Sequence, residues 1–223
     1  MGSSAADDVP AVRPEASWPA LAAVVAVLVL TLLRPPEMRV APVWVLPTLE
    51  IGLIAALMAS HPPRSGPRVR RWRTISIVLV GIVVADTLGA TAHLIDVLIK
   101  GGDTTNSASS LLAAGGIVWF SNVFAFALLY WLLDGGGVAA RTVRMPDAPD
   151  LAFPQQLSPE LAPPGWRPRF YDYAYLAVTT STAFSPTDVM PLKAWAKLAM
   201  GVQSLVSLAV LGLVVARAVN VLT

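Results

Sequence analysis

The chain contains no cysteine, and its only two histidines, His61 and His93, lie in different segments. The lack of cysteine excludes disulfide bonds, thiolate catalysis and cysteine-ligated metal sites. Two separated histidines do not form a metal-binding motif, and the sequence has neither a paired nucleophile and base nor a phosphate-binding loop. We therefore expect a protein that is not an enzyme and that carries no metal or organic cofactor.

Charge is also scarce in this sequence. Charged residues make up 13% of the 223 residues, hydrophobic residues make up 55%, and the mean hydropathy is +0.63. Because a soluble domain has about a quarter charged residues, the composition predicts an all-α polytopic membrane protein whose main partner is the lipid bilayer. The net charge of +2 does not indicate nucleic-acid binding, since the basic residues lie in loops beside the predicted spans.

Apolar segments predict about five transmembrane helices, and Trp18 and Arg34 suit the two ends of the first as interfacial anchors. The predicted spans are 18–33, 40–60, 74–99, 111–133 and 192–222. A polar, acidic stretch at 1–17 predicts a disordered tail. Residues 18–110 then form an N-terminal three-helix region and 111–223 a second module. That module includes a proline-rich connector, 134–169, which cannot be a regular helix.

Between the connector and the last span lies the stretch 170–191, with the sequence FYDYAYLAVTTSTAFSPTDVMP. Its apolar part is about fifteen residues long, which is short of the roughly twenty that a crossing helix needs. Irregular backbone at membrane depth is tolerated only where protein or a water-filled cavity receives its polar groups. The stretch therefore predicts a re-entrant half-helix with a pore or a binding site at its tip.

The order of span, connector, short aromatic-led helix, threonine-rich turn, aspartate and long final helix resembles the pore module of potassium channels. The filter-like residues are Thr179, Thr180, Ser181, Thr182, Ala183, Phe184 and Ser185. The glycines of a potassium filter are absent, so this resemblance implies a pore that is not strictly potassium-selective. Asp188, which follows, either forms an acidic ring at the pore mouth or caps the break before Pro191.

A second resemblance covers roughly residues 111–222. The residues that carry it are Ala152-Phe153-Pro154, Tyr171-Asp172-Tyr173, Thr182-Ala183-Phe184, Asp188, Gln203 to Ser207, and Arg217 to Asn220. They are similar to a bacterial membrane-protein family, the domain of unknown function 1345. This resemblance implies a multi-pass protein of the bacterial inner membrane but no particular activity.

Three ionisable residues of the third predicted span, Asp86, His93 and Asp96, fall on one helical face within about 80°. Such residues are costly inside a membrane and usually face a partner or water. One interpretation is a proton or cation site, with Asn122 or Gln203 as its partner. The other places His93 and Asp96 at the interface and leaves Asp86 held by Thr87 or a neighbouring helix.

Other polar residues also have two interpretations. Glu50 either caps a kinked helix beside Pro47 or binds an ion. Gln203, Ser204 and Ser207 either line the pore along the inner helix or serve helix packing. The hydroxyls of 179–182 either face a water-filled lumen or bond back to their own helix.

One protomer has a single half-helix and cannot enclose a pore, so we expect a homo-oligomer, with a tetramer favoured. The sequence favours a channel for inorganic cations. Its alternatives are an anion channel, a non-conducting structural protein, and a proton-coupled transporter that works through Glu50, Asp86 and His93. The positive-inside rule places both the arginine-rich loop 64–73 and the connector, which carries Arg141 and Arg169, in the cytoplasm.

Overall fold

The computed structural model describes residues 15–39, 41–59, 67–100, 107–143, 149–182 and 188–222. Among these residues, three helices are long and apolar enough to cross a membrane: Arg70–Lys100, Ala108–Gly136 and Ala194–Val219. The predicted class, an α-helical membrane protein, is therefore confirmed. Two further apolar helices have 16 and 15 residues, fewer than the roughly twenty that a crossing needs, so the count of five stays a prediction.

The described elements are mostly helices with a small two-stranded sheet. In chain order they are α1 (Trp18–Leu33), α2 (Val45–Ala59), α3 (Pro67–Lys100), α4 (Ala108–Leu133), α5 (Val138–Val143), β1 (Leu151–Ala152), α6 (Pro154–Leu157), α7 (Phe170–Thr182), β2 (Met190–Pro191) and α8 (Ala194–Leu222). Short 3-10 turns lie at Pro36–Met38, Asp134–Gly136 and Pro159–Leu161. α1 has the bounds that its apolar run predicts, and α4 and α8 differ from theirs only where they begin.

The arginine-rich segment before the third span is largely helical, which corrects the predicted loop at 64–73. α3 begins at Pro67 and includes Arg70, Arg71 and Arg73, while 64–66 lie outside the described residues. Proline suits the first helical position and arginine is a good helix former. Hydropathy finds only the apolar part of such a helix, because its first turns extend beyond the apolar region.

α4 is the central helix of the bundle. It packs against α1, α3, α7 and α8, and 61% of its most apolar stretch is buried, compared with 33% in α3 and 22% in α8. Hydrophobic residues on all sides are typical of a helix surrounded by protein. α4 is therefore the element against which the others are positioned.

Contacts along α4 give the direction of its neighbours. Near the C-terminal end of α4, Tyr130 contacts Gln203 of α8, and near its N-terminal end Gly115 lies against Val214. α8 therefore runs antiparallel to α4. The arginine-rich start of α3 lies at the connector end of the bundle, because Arg73 lies against Gly137.

α7 starts at the end of the bundle where α4 finishes. The Tyr173 hydroxyl, near the start of α7, lies 2.6 Å from a carboxylate oxygen of Asp134, which directly follows α4. Residues near the other end of α7 meet Gln203 and Ser204 of α8. α7 and α8 therefore run parallel to each other, and both run antiparallel to α4.

The two short strands bring the chain back to its starting end. β2 pairs antiparallel with β1, with Leu151 opposite Pro191 and Ala152 opposite Met190. β1 itself lies beside the end of α4, because the backbone N–H of Leu151 donates to Asp134. α7 leads away from this end and β2 lies at it, so the chain reverses direction between Thr182 and Met190.

The close contact between α4 and α8 provides a test of this packing. A Cβ atom at position 115 would lie 2.7 Å from Cγ2 of Val214, and a β-branched valine has little freedom to move away. We predict that Gly115→Ala destabilises the protein by about 1–3 kcal/mol, seen as a lower thermal unfolding midpoint in detergent. Gly116→Ala is the matched control, because a Cβ there has no neighbour within 4 Å. Equal losses in the two variants would contradict the described contact.

Candidate functional site

The candidate site is the surface on which α7 is seated, formed by α4, α8 and the connector. At the start of α7, Asp134 is only 1% exposed. One of its oxygens accepts a hydrogen bond from the Tyr173 hydroxyl at 2.6 Å, and the other accepts from the backbone N–H of Leu151 at 3.1 Å. One carboxylate thus joins the end of α4, β1 and the beginning of α7.

Arg141 of α5 provides the positive charge beside this carboxylate. Its side chain is 3% exposed, and its guanidinium donates to the backbone carbonyls of Asp134 and Trp131. It also lies 5.1 Å from the centre of the Tyr173 ring, within the range of a cation–π interaction. The sequence indicated only a topogenic role for Arg141, but the structure shows that it also holds the connector against α7.

Glu15 caps the start of α7 from the other end of the chain. Its carboxylate accepts hydrogen bonds from the backbone N–H of Phe170 at 2.7 Å and from the indole of Trp131 at 3.0 Å. Burial raises the pKa of the Glu15 carboxyl, and these two hydrogen bonds offset part of that rise. Glu15 is therefore not part of a free tail, although 1–17 was the predicted tail, and 1–14 lie outside the described residues.

Farther along α7, buried polar side chains join it to α4 and α8. We name these residues the Gln203 cluster: Asn122, Tyr130, Ser181, Gln203 and Ser207. The Gln203 carbonyl oxygen accepts from the Tyr130 hydroxyl at 2.6 Å, and its amide nitrogen donates to the Ser181 hydroxyl and to the carbonyl of Ala177, both at 2.9 Å. The Asn122 amide donates to the Ser207 hydroxyl at 2.8 Å. The cluster therefore connects all three helices.

The burial of Gln203 and Ser207 favours helix packing over the pore-lining role that the sequence also allowed. Gln203 and Ser207 are 0% exposed within the protomer, so their side chains face α4 and α7 and do not line a lumen between protomers. The physical reason is that buried amides and hydroxyls need hydrogen-bond partners, which α4 and α7 supply. Ser204 is half-buried, and its hydroxyl donates to the carbonyl of Thr180 at 3.2 Å.

The four hydroxyl residues at the end of α7 differ in their hydrogen-bond partners. Thr179 donates to the carbonyl of Tyr175 at 2.9 Å and Thr182 to that of Thr179 at 3.0 Å, so these two bond back to their own helix. Ser181 belongs to the Gln203 cluster. The Thr180 hydroxyl is buried and has no hydrogen-bond partner within the described part of the chain.

The predicted filter tip is only partly covered by the structure. Ala183, Phe184 and Ser185 lie outside the described residues. Asp188 is exposed and comes two positions before β2 begins at Met190. Asp188 therefore lies within two residues of the strand β2, which pairs with β1 at the connector end of the bundle.

A second group of buried polar residues lies in the N-terminal helices, and we name it the Arg34 cluster: Thr31, Arg34, Glu50 and Asp86. A guanidinium nitrogen of Arg34 lies 2.8 Å from a carboxylate oxygen of Asp86, with the side chains 2% and 8% exposed. The Thr31 hydroxyl donates to Glu50 Oε1 at 2.7 Å. The other oxygen of Glu50 is buried and has no hydrogen-bond partner among the residues described.

The structure separates the three ionisable residues of α3. Asp86 is buried and paired, His93 is exposed, and Asp96 pairs with Lys100 at the exposed end of the helix. Asp86 is held by a neighbouring segment, as one interpretation had it, but the partner is Arg34 and neither Asn122 nor Gln203. Sequence reasoning missed this pair because it treated Arg34 as an interfacial anchor. The short length of α1 was the available signal, since a helix that ends early leaves its last residues inside the bundle.

No group of three histidine, aspartate or glutamate residues within the described ranges is arranged to hold a metal ion. In comparisons with known proteins, no family model, no curated protein and no solved structure matches the chain.

Replacing Gln203 by leucine tests whether the Gln203 cluster holds α7 in place. The variant leaves the hydroxyls of Tyr130 and Ser181 unpaired in a dry interior, at about 1–3 kcal/mol for each group. We predict a lower unfolding midpoint for Gln203→Leu and a partial recovery when Tyr130→Phe is added, because that change removes one orphaned hydroxyl. A double-mutant cycle should give a coupling of about 0.5–3 kcal/mol. Strictly additive losses would contradict a direct hydrogen bond.

Proposed function

We propose that this chain is one subunit of an oligomeric channel for inorganic cations, in which α7 is a re-entrant half-helix. The observation that carries the proposal is the path of the chain from α4 to α8. α7 has 13 residues, about 20 Å of helix, against roughly 30 Å for the hydrocarbon core of a bilayer. It runs into the bundle parallel to α8, and β2 lies back at the end where α7 began.

This path is the one expected of a pore-loop module. A long helix, an irregular connector, a short helix that leads inward and a return before the last helix bring the tip of the short helix into the interior. The resemblance to potassium-channel pore modules rests on the same order of elements. The likeness to the domain of unknown function 1345 stays a prediction alongside it.

The direction of α7 favours cations. Its C-terminal end points into the bundle, so its last carbonyl groups and the negative end of its helix dipole face the interior. Its N-terminal end lies at the end of the bundle, where Glu15 and Asp134 hold it. An anion channel would need the opposite direction, with the N–H groups at the tip.

The lumen in this proposal is formed between protomers by an exposed face of α8. Gly201, Leu205, Leu208 and Gly212 follow one helical face and are exposed, and a Cβ at either glycine would have no neighbour within 4 Å. Because Gln203 and Ser207 are buried, this lumen is apolar below the tip, and apolar constrictions gate ion flow by excluding water. Four subunits around one axis would enclose it.

The remaining helices complete the proposed topology. Met38, in the turn after α1, packs with Leu94 and Leu98 near the far end of α3, so α1 and this turn together extend along α3. With α2 as the return, the chain makes five crossings. The starts of α3 and α7 lie at one end with Arg70, Arg71 and Arg169, and the positive-inside rule assigns that end to the cytoplasm.

The channel is tested by ion flux from liposomes with separate K⁺, Na⁺ and Cl⁻ gradients. We predict cation flux that Asp188→Asn reduces by about tenfold at low salt, and by less at high salt because ions screen exposed charges. Asp96→Asn is the matched control, since Asp96 is also an exposed carboxylate but pairs with Lys100 at the end of α3. An absence of flux from a folded oligomer would overturn the channel.

The absence of cysteine allows the proposed oligomer axis to be tested by cross-linking. Leu205 is 69% exposed on the proposed lumen face, and Val78 of α3 is 55% exposed elsewhere. We predict that Leu205→Cys forms covalent dimers under mild oxidation, because a disulfide requires Cα atoms within about 7 Å. Val78→Cys should stay monomeric. If Val78→Cys forms dimers and Leu205→Cys does not, the protomers meet through α3 and the proposed axis is wrong.

A further inference from the structure

The Arg34 cluster contains two buried carboxylates and one buried cation. Arg34 lies 2.8 Å from Asp86, and this pairing leaves Glu50 without a cation of its own. Glu50 is 1% exposed, and only its Oε1 has a hydrogen-bond partner among the described residues, the Thr31 hydroxyl. A buried carboxylate with one orphaned oxygen strongly disfavours a negative charge.

We propose that Glu50 is a proton-binding site, occupied at neutral pH by one exchangeable proton. With this proton on Glu50, the cluster is a neutral acid beside a complete Arg34–Asp86 pair. Three groups face Glu50: Thr31 of α1, Arg34 directly after the end of α1, and Asp86 of α3. Arg39 is the next cation, and it is engaged with the backbone carbonyl of Arg34.

A proton fits this site better than a metal ion does. Hard cations prefer six or more oxygen ligands, whereas Glu50 shares its surroundings with one hydroxyl and one further carboxylate. The guanidinium of Arg34 also repels a second cation. A proton needs only one of the two Glu50 oxygens, and its binding removes the charge that the unpaired Oε2 would otherwise share.

The structure also offers a route for the proton. A cavity of about 10 Å³ is lined by Thr31, Arg34, Arg39 and Leu46, among others, and it has room for about one water molecule. Thr31 therefore both lines the cavity and contacts Glu50. A neutral water molecule in the cavity takes a proton from the solvent as it gives one of its own to the Thr31 hydroxyl, which passes its proton to Oε1 of Glu50. One water molecule remains, and the reverse steps release the proton.

The test is the pH dependence of thermal unfolding of the full-length protein in detergent with choline chloride as the salt. An unperturbed glutamate titrates near about 4.3, so above that pH the native state binds a proton that the unfolded chain lacks. Stability then falls as pH rises, by up to about tenfold in the unfolding equilibrium constant per pH unit. We expect Glu50→Gln, a neutral isostere, to lose the part of the pH dependence that Glu50 causes and to be more stable than the wild type at pH 8.

Three outcomes separate the possibilities. Asp96→Asn is the control, and its thermal stability should depend on pH as that of the wild type does, including the part of this dependence that Glu15 causes. Equal pH dependence in Glu50→Gln and the wild type overturns the proposal, as does stabilisation of the wild type by Na⁺ at high pH that Glu50→Gln abolishes. If Glu50→Gln does not fold, the infrared spectrum of the wild type decides, because the lack at pH 6 of a protonated-carboxyl band that disappears at higher pH overturns the site.

The site uses neither α7 nor α8. A lack of ion flux would therefore not contradict the proton site at Glu50, and a lack of proton binding at Glu50 would not contradict the channel.

Discussion

Gln203 lies where α4, α7 and α8 meet, and its carboxamide requires both an acceptor and a donor in a place that water does not reach. Tyr130 supplies the donor, and α7 supplies acceptors through Ser181 and the carbonyl of Ala177. A buried amide with an unpaired end is costly, so these three helices have few alternative arrangements. Apolar surfaces alone would not specify one depth for α7, because small shifts along a helix exchange similar hydrophobic contacts. The amide specifies that depth because its partners occupy particular positions.

A second polar anchor acts at the opposite end of the same helix. Asp134 holds Tyr173 and the backbone of Leu151, and Glu15 holds the first N–H group of α7. α7 is therefore held near both of its ends, and its tip lies at a defined position relative to α8. A channel benefits from this arrangement because the groups that meet an ion must stay in place. The paired strands β1 and β2 extend the same restraint to the chain that returns from the tip.

Much of the fold follows from the sequence, whereas the partners within the site do not. The low charge and the long apolar runs predict the class and most helix ends, because hydropathy depends on local composition. The short, threonine-rich stretch at 170–191 predicts a helix that differs from its neighbours, and α7 occupies the first 13 residues of it. Spacing along one helix could not pair Arg34 with Asp86, or Gln203 with Tyr130, since those contacts depend on how helices far apart in the chain are arranged. The same limit explains why the sequence leaves Gln203 with two interpretations, pore lining or helix packing: its helical face is known from the sequence, but what covers that face is not.

The two polar clusters differ in whether the unpaired buried oxygen belongs to an ionisable group, and this difference separates a structural role from proton binding. In the Gln203 cluster, both ends of the central amide have partners, and the Asn122 oxygen that is buried without one among the described residues belongs to a neutral amide. In the Arg34 cluster, Glu50 keeps a buried oxygen without a partner among the described residues, and the only positive charge is engaged by Asp86. A stable fold tolerates such an oxygen only if something neutralises it, and a proton is the smallest species that does so. Because α4 contacts both α1 and α8, and α3 also packs directly against α8, a change of charge at Glu50 can reach the proposed pore through the packing of α3 and of α4. The central helix is therefore the scaffold of the bundle, and α3 and α4 both connect its two polar clusters.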